Sequence, residues 1–201
     1  VMMGKKNMRN QVRCLQYNIG DGPNHKKLED LETFVKEENP DVFALDEHAD
    51  RDSVTDAFIG LHPEFGKWAG DGRPGALKTC ILYRKKLGKL TGEYSKTLVG
   101  PRHLPPGAGP ENAGAKVANR IRMRINKRRV HFIAVHQYAS VRSRWEAAKD
   151  LVDALVHLVR NRFGVVVVLG DMNANPMDRI YKALRELLPF FSKPGATHGK
   201  R

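Results

Sequence analysis

The stretch VVVVLGDMNANP, residues 165–176, joins four valines and a leucine directly to Gly170, Asp171 and Asn173. An apolar run of this length is typical of a fully buried strand. Asp and Asn at its end indicate either a turn, because both side chains bond their own backbone, or a functional site. Since alternate residues of an extended chain point the same way, Asp171 and Asn173 can face one ligand. The rest of the chain has to decide between these two interpretations.

The net charge of the chain indicates which classes of binding partner it favours. The 201 residues include 35 Lys and Arg against 22 Asp and Glu, which gives a net charge of +13. The basic residues form several separate clusters, and such a distributed positive field favours a polyanion such as nucleic acid, or an anionic membrane surface. A basic protein without any polyanion partner is the open alternative.

The length of the chain, its lack of an apparent targeting signal and its two cysteines limit the class of protein that it can be. The chain is long enough for one sizeable core, and we predict a basic N-terminal extension over residues 1–10 and a single domain over 11–201. No apolar run reaches the length of a membrane span, and no signal core follows the basic start, so a cytoplasmic protein is expected. Cys14 and Cys80 lie in apolar stretches and are predicted to be reduced core thiols.

Hydrophobic periodicity predicts alternating strands and helices. The predicted strands are residues 12–17, 41–45, 76–84, 117–125 and 130–136 and the valine strand from 165, and the predicted helices are 25–38, 53–59, 142–162 and 177–188. The first strand is apolar on both faces and is therefore expected to be central. The turn NKRR predicts an antiparallel hairpin, and the Gly- and Pro-rich stretch 100–114 predicts an exposed loop. Together these elements predict an α/β fold with mixed sheets.

Polar side chains end four of the predicted strands. They are Asn18, then Asp46 and Glu47, then His136, and finally Asp171 with Asn173. Ligands of α/β proteins bind at the carboxyl ends of strands, so one shared site explains all four endings together. Each residue also has a plainer interpretation: Asn18 as a turn cap, Glu47 as a solvated loop residue, and His136 as a hydrogen-bonded core histidine.

The chemistry of this set favours metal-assisted hydrolysis of a phosphodiester. Carboxylate oxygens without thiolates favour a hard cation, Mg²⁺ or Mn²⁺. Neutral amides donate to phosphate oxygens without adding negative charge, and a histidine donates to phosphate or moves a proton near neutral pH. The hairpin adds Arg122, Arg124 and Arg128, which we predict to contact substrate phosphates.

At these residues the chain resembles the endonuclease/exonuclease/phosphatase superfamily, which has the DNase I-like fold. The similar segments, in the same order as in the superfamily, are LQYN at 15–18, NPDVFALDE at 39–47, HFIAVH at 131–136 and VVLGDMNANP at 167–176. The resemblance implies a four-layer α/β sandwich of two packed mixed β-sheets with outer helices. The superfamily usually has Gln before its metal-binding Glu, where this chain has Asp46.

The resemblance also implies a role for each residue. Glu47 binds the catalytic Mg²⁺ or Mn²⁺, and Asn18 beside it helps to hold the metal or the phosphate. His136 donates a hydrogen bond to the scissile phosphate. Asp171 positions or deprotonates the attacking water, and Asn173 orients the phosphate or that water. The implied activity is that of a metal-dependent hydrolase. The net charge of +13 favours nucleic acid as its substrate, so we expect a nuclease, with DNA ahead of RNA, and we infer no obligate protein partner.

One departure from the superfamily pattern keeps other functions open. That pattern ends with an Asp-bearing strand and a Ser-Asp-His segment, and no Asp-His pair occurs in residues 172–201. We therefore expect the C-terminal strands to be missing by truncation. A catalytically inactive nucleic-acid-binding module of the same fold is the alternative, and a phosphatase or phospholipid phosphodiesterase is the alternative within the superfamily.

Overall fold

The computed structural model describes residues 11–19, 24–46, 52–70, 79–99, 116–136, 141–161, 164–172 and 179–188. The strands are β1 (Cys14–Asn18), β2 (Val42–Asp46), β3 (Phe65–Trp68), β4 (Thr79–Arg84), β5 (Lys89–Val99), β6 (Lys116–Ile125), β7 (Arg128–His136) and β8 (Val165–Asp171). The helices are α1 (Asn24–Glu38), α2 (Asp52–Leu61), α3 (Val141–Arg160) and α4 (Arg179–Leu187), and a 3₁₀ turn covers Lys85–Leu87. No helix within these ranges is long and apolar enough to cross a membrane.

The strands form two mixed sheets of four strands each. In the first sheet, with the order β1-β2-β4-β3, β1 and β2 are parallel and the other pairs are antiparallel. In the second sheet, with the order β5-β6-β7-β8, β7 and β8 are the parallel pair. Helices α1 and α3 connect the two parallel pairs, because parallel neighbours need a crossover connection.

Three apolar clusters stack the elements into four layers. Because side chains alternate along a strand, each sheet presents one apolar face inward and another outward. The inner faces of the two sheets pack together through residues that include Val42, Ala44, Ile81, Ile121, Met123, Phe132 and Ala134. Helices α1 and α2 cover the outer face of the first sheet, and α3 and α4 cover that of the second. The predicted four-layer α/β sandwich is confirmed.

The hairpin between β6 and β7 follows directly from the sequence. Asn126 and Lys127 form a two-residue turn with φ values of 48° and 66°. Positive φ at both central residues is the conformation that matches the twist of the flanking strands, and Asn adopts it readily. Ile121, Met123 and Ile125 are buried on one face of β6, as their alternation with arginines predicts.

Two strands were missed by the sequence analysis, and two predictions about other strands were wrong. β3 and β5 were not predicted, because FGKW is very short and KLTGEYSKTLV is too polar to read as a core strand. β1 is an edge strand of its sheet within the described residues, not a central one, and its side chains are half-buried. Among the residues that the structure describes, β8 is also an edge strand, so the valine run is not fully buried, and Val165 is 48% exposed.

Cys14 and Cys80 are both reduced thiols, as predicted. Cys80 is fully buried among the residues beneath α1 and α2. Cys14 is partly exposed, and burial of its thiol together with the nearby charge of Asp41 raises the Cys14 pKa to about 12. Cys14 therefore stays a neutral thiol near neutral pH, and it packs against the core between the two sheets.

Candidate active site

Two parallel strand pairs place polar side chains side by side. Asn18 is the register partner of Asp46 at the ends of β1 and β2. His136 is the register partner of Asp171 at the ends of β7 and β8. Parallel strands end at the same edge of their sheet, so each sheet presents a pair of polar side chains there.

These two pairs lie at the same end of the sandwich and face its interior. The main-chain N–H of Asp171 donates to Oδ2 of Asp46 at 2.7 Å, which joins the second sheet to the first. Gln16 of β1 donates its side-chain N–H to the same oxygen at 2.8 Å. Asp46 is fully buried, and His136 is 9% exposed. The structure therefore brings Asn18, Asp46, His136 and Asp171 into one cluster between the sheets.

The match of this chain to known families decides its classification. The model of the endonuclease/exonuclease/phosphatase family matches residues 15–197. The chain belongs to this family. The family consists of metal-dependent nucleases and phosphatases, so the cluster at the strand ends lies in the fold of a hydrolase. No curated protein matches the chain at a significant level.

Solved structures of family members share the fold at low sequence identity. The mannosyl-6-phosphatase of Bacteroides thetaiotaomicron is 14% identical with a TM-score of 0.71, over 88% of this chain and 70% of that one. The catalytic domain of human nocturnin, with bound sulfate, is 18% identical with a TM-score of 0.63, over 87% and 69%. Truncated TDP2 of Caenorhabditis elegans is 19% identical with a TM-score of 0.63, over 82% and 63%. At these identities the likeness shows the fold alone.

Gly170 explains why the valine strand ends as it does. The backbone φ of Gly170 is +133°, a value that residues other than glycine rarely adopt. A Cβ atom at this position would lie 1.8 Å from the carbonyl oxygen of Val135 on β7. The absence of a side chain therefore lets β8 stay against β7 through Asp171, and the strand delivers Asp171 beside His136. The segment that begins with Gly170 and resembles the superfamily therefore starts with a steric requirement.

The structure adds polar residues that the sequence analysis did not single out. Gln16 is one of them, since it binds Asp46. Asn119 on β6 is fully buried and donates to the carbonyl oxygen of Thr79 on β4 at 2.7 Å, which makes a second link between the sheets. The signal for Gln16 was a polar residue in a short apolar run, and the signal for Asn119 was a polar residue on the same face of β6 as Ile121 and Met123.

Tyr181 on α4 lies within the electrostatic reach of the cluster. Burial raises the pKa of the Tyr181 phenol, and the negative charge of Asp171 raises it further. The phenol therefore stays protonated and remains able to donate a hydrogen bond. Its sequence context, RIYKALREL, is an ordinary amphipathic helix, so no sequence signal marked Tyr181.

The donor set fits a hard divalent cation. Within the described residues no group of three or more His, Cys, Asp or Glu side chains is close enough to hold a metal. Asn18 and Asp171 nevertheless lie at the same end of the sandwich, and their side chains carry oxygen donors, which Mg²⁺ and Mn²⁺ prefer. Glu47, the predicted metal ligand, directly follows Asp46 and lies outside the described residues, as does Asn173. Their roles stay predictions.

The hairpin arginines are not brought to this cluster. Arg122 lies opposite His131, and Arg124 lies opposite Arg129, which places them five and seven residues along β7 from His136. At about 3.4 Å per residue, these separations are about 17 and 24 Å. Both arginines share the outer face of β6 with Ala118, whereas His136 faces inward. Arg128, at the start of β7, is farther still.

Arg122 also has local structural contacts. Its guanidinium donates to the side-chain oxygen of Thr91 at 3.1 Å and to the Thr91 carbonyl at 2.7 Å. The guanidinium carbons of Arg120 and Arg122 lie 4.1 and 5.6 Å from the centroid of the Tyr94 ring. Arg122 therefore helps to hold β5 against β6, while Arg124 and Arg128 are exposed.

Proposed function

We propose that this protein is a Mg²⁺- or Mn²⁺-dependent phosphodiesterase that hydrolyses nucleic acid, with DNA as its preferred substrate. The observation that carries the proposal is the cluster of an amide, an imidazole and two carboxylates at the strand ends of a family of metal-dependent hydrolases. These are the groups needed to hold a cation, neutralise a phosphate and direct a water.

Each residue of the proposed site has a defined task, and Asn18 has two. His136 is enclosed between the sheets, and its ring N–H donates to a nonbridging oxygen of the scissile phosphate. The Asp171 carboxylate accepts a hydrogen bond from the attacking water, orients it toward phosphorus and takes its proton. Asn18 donates its amide N–H to phosphate without adding negative charge. Asn173 supplies a second amide, which orients the phosphate or the attacking water. Glu47 and Asn18 would hold the divalent cation, which would stabilise the negative charge that develops on the phosphate.

The metal requirement tests this proposal directly. Replacing Glu47 by Gln removes the predicted anionic ligand, so we expect Mn²⁺ affinity measured by calorimetry to fall at least a hundredfold. Hydrolysis of bis(p-nitrophenyl) phosphate should fall to the level measured with EDTA. Glu37→Gln, an exposed substitution on α1 with the same change in charge, is the control and should alter neither quantity.

Two outcomes would contradict the proposal. Unchanged Mn²⁺ affinity in Glu47→Gln would remove Glu47 from the site. Hydrolysis of p-nitrophenyl phosphate, a monoester, well above that of the diester would favour the phosphatase alternative.

The charge of the chain supports a polymeric substrate. A net charge of +13 attracts polyanions, and this attraction weakens as salt screens it. The hairpin arginines lie too far from His136 to touch the phosphate being cleaved. We therefore propose that the exposed Arg124 and Arg128, together with the half-buried Arg122, contact phosphates several nucleotides away from the cleavage point.

This separation predicts different effects on long and short substrates. The double variant Arg124→Glu/Arg128→Glu should weaken binding to duplex DNA, because it removes two exposed cations. The slope of log affinity against log salt should fall by about 0.9 for each phosphate that the variant no longer neutralises. Hydrolysis of bis(p-nitrophenyl) phosphate, which is too small to reach the hairpin, should change less than twofold.

A variant with the same change in net charge provides the comparison. Lys36→Glu/Lys86→Glu alters two exposed lysines on α1 and the 3₁₀ turn. Equal slopes for the two double variants would show that only net charge matters, and would remove the hairpin from the proposed substrate contacts. The same titration with RNA tests the preference for DNA.

A further inference from the structure

The side chain of Asp46 contacts the strands that carry both halves of the proposed site. It ends β2 of the first sheet, and its Oδ2 accepts the main-chain N–H of Asp171 on β8 of the second sheet, at 2.7 Å. The same oxygen accepts the side-chain N–H of Gln16 at 2.8 Å, which orients the carboxylate from β1. The main-chain carbonyl of Asp46 also accepts the N–H of Ile19, next to Asn18.

Burial of the Asp46 carboxylate costs free energy unless its hydrogen bonds compensate for the lost hydration. Asp46 is fully buried, and a buried carboxylate loses its hydration. A hydrogen bond from an N–H to a carboxylate is shorter and stronger than one to a neutral acceptor, so the acid holds Asp171 more firmly than an amide would. Within the described residues β8 lies at the edge of its sheet, and so it has a strand neighbour, β7, on one side.

The reaction proposed above needs the two sheets in a fixed relation. Asn18 belongs to the first sheet, whereas His136 and Asp171 belong to the second. A water held by Asp171 has to reach a phosphate held partly from the other sheet. A displacement of about 1 Å between reacting groups costs about a hundredfold in rate.

We propose that Asp46 is a positioning residue: by accepting the Asp171 N–H it sets the distance between the two halves of the active site. The proposal rests on the proposed function for its catalytic consequence. Its structural part, the link between Asp46 and the Asp171 N–H, stands without any activity. Asp46 itself touches no reacting atom in this mechanism.

Amide hydrogen exchange, followed by NMR on the ¹⁵N-labelled full-length protein, tests the structural part. The Asp171 amide should be protected in the native protein, because its hydrogen bond is buried. In Asp46→Ala, water can fill the space but cannot hold the strand, so exchange at Asp171 should rise at least tenfold. In Asp46→Asn the side-chain oxygen can still accept both donors, so most of the protection should remain.

Kinetics on bis(p-nitrophenyl) phosphate with Mg²⁺ test the catalytic part. Asp46→Ala should lower kcat about a hundredfold with little change in KM, because the substrate-binding groups remain. Asp46→Asn should recover at least tenfold of that loss. Asn119→Ala, which removes the link between β6 and β4, is the control: it should cost comparable stability with Asp171 still protected and a far smaller fall in kcat.

Several results would overturn the proposal. Rapid exchange of the Asp171 amide in the native protein would overturn it, and this result does not depend on whether any variant folds. So would Asp46→Ala with unchanged Asp171 exchange, or Asp46→Asn with a kcat as low as that of Asp46→Ala, which would assign the role to charge. A native protein that lacks diesterase activity but shows Asp171 protection that disappears in Asp46→Ala would refute the proposed function and leave the structural link standing.

Discussion

Asp171→Asn is expected to lower the rate of phosphodiester hydrolysis by several orders of magnitude while leaving the fold and substrate binding nearly intact. Asparagine keeps the shape of the side chain and removes the carboxylate that is proposed to take the proton of the attacking water. The hydrogen bond that fixes residue 171 to Asp46 comes from its main-chain N–H, which the substitution retains. The loss should therefore appear in kcat, measured with the full-length protein on bis(p-nitrophenyl) phosphate and on DNA.

The same variant distinguishes a site from a turn. Asparagine forms turns as readily as aspartate, so a residue that only ends β8 would tolerate the change. Asp153→Asn, an exposed substitution on α3, is the control for the change in charge. A near-normal kcat in Asp171→Asn would make the end of the valine strand a turn and remove Asp171 from the mechanism.

Gly170→Ala is expected to destabilise the protein more than any other substitution that adds a single methyl group at the site. The new Cβ would lie 1.8 Å from the Val135 carbonyl oxygen, and alanine is strained at a φ of +133°. Unfavourable backbone geometry and overpacking each cost about 1–3 kcal/mol, so we expect a loss of about 3 kcal/mol or more in the free energy of unfolding. In a domain of this size that loss lowers Tm by about 10 °C.

Gly60→Ala provides the matched comparison. Gly60 lies in α2, and a Cβ atom there would meet nothing within 4 Å. The substitution should raise stability by about 0.4–1 kcal/mol, because alanine has less conformational freedom to lose on folding. Urea denaturation of both variants measures the difference, and a Gly170→Ala protein as stable as the native one would show that β8 can move away from β7 without loss.

Local patterns explain how much of the fold was predictable. The alternation of Ile121 and Met123 with arginines, and the Asn126 turn, specified the hairpin because side-chain period and turn chemistry act over a few residues. The strand-end positions of Asn18, His136 and Asp171 were also visible, since each follows an apolar run. Strand β5 escaped prediction because its polar residues alternate with few apolar ones, and only its long pairing with β6 makes it a strand.

Long-range pairing decided the rest. The sequence by itself determined the α/β class, the hairpin and the residue types that end each strand, since these depend on neighbours in the chain. The tertiary structure alone decided that Asp46 contacts Asp171 across 125 residues, and that Arg122 lies on the outer face away from His136. Those positions follow from which strands pair, in which register, and which face of each sheet turns inward, and no short segment of the chain carries that information.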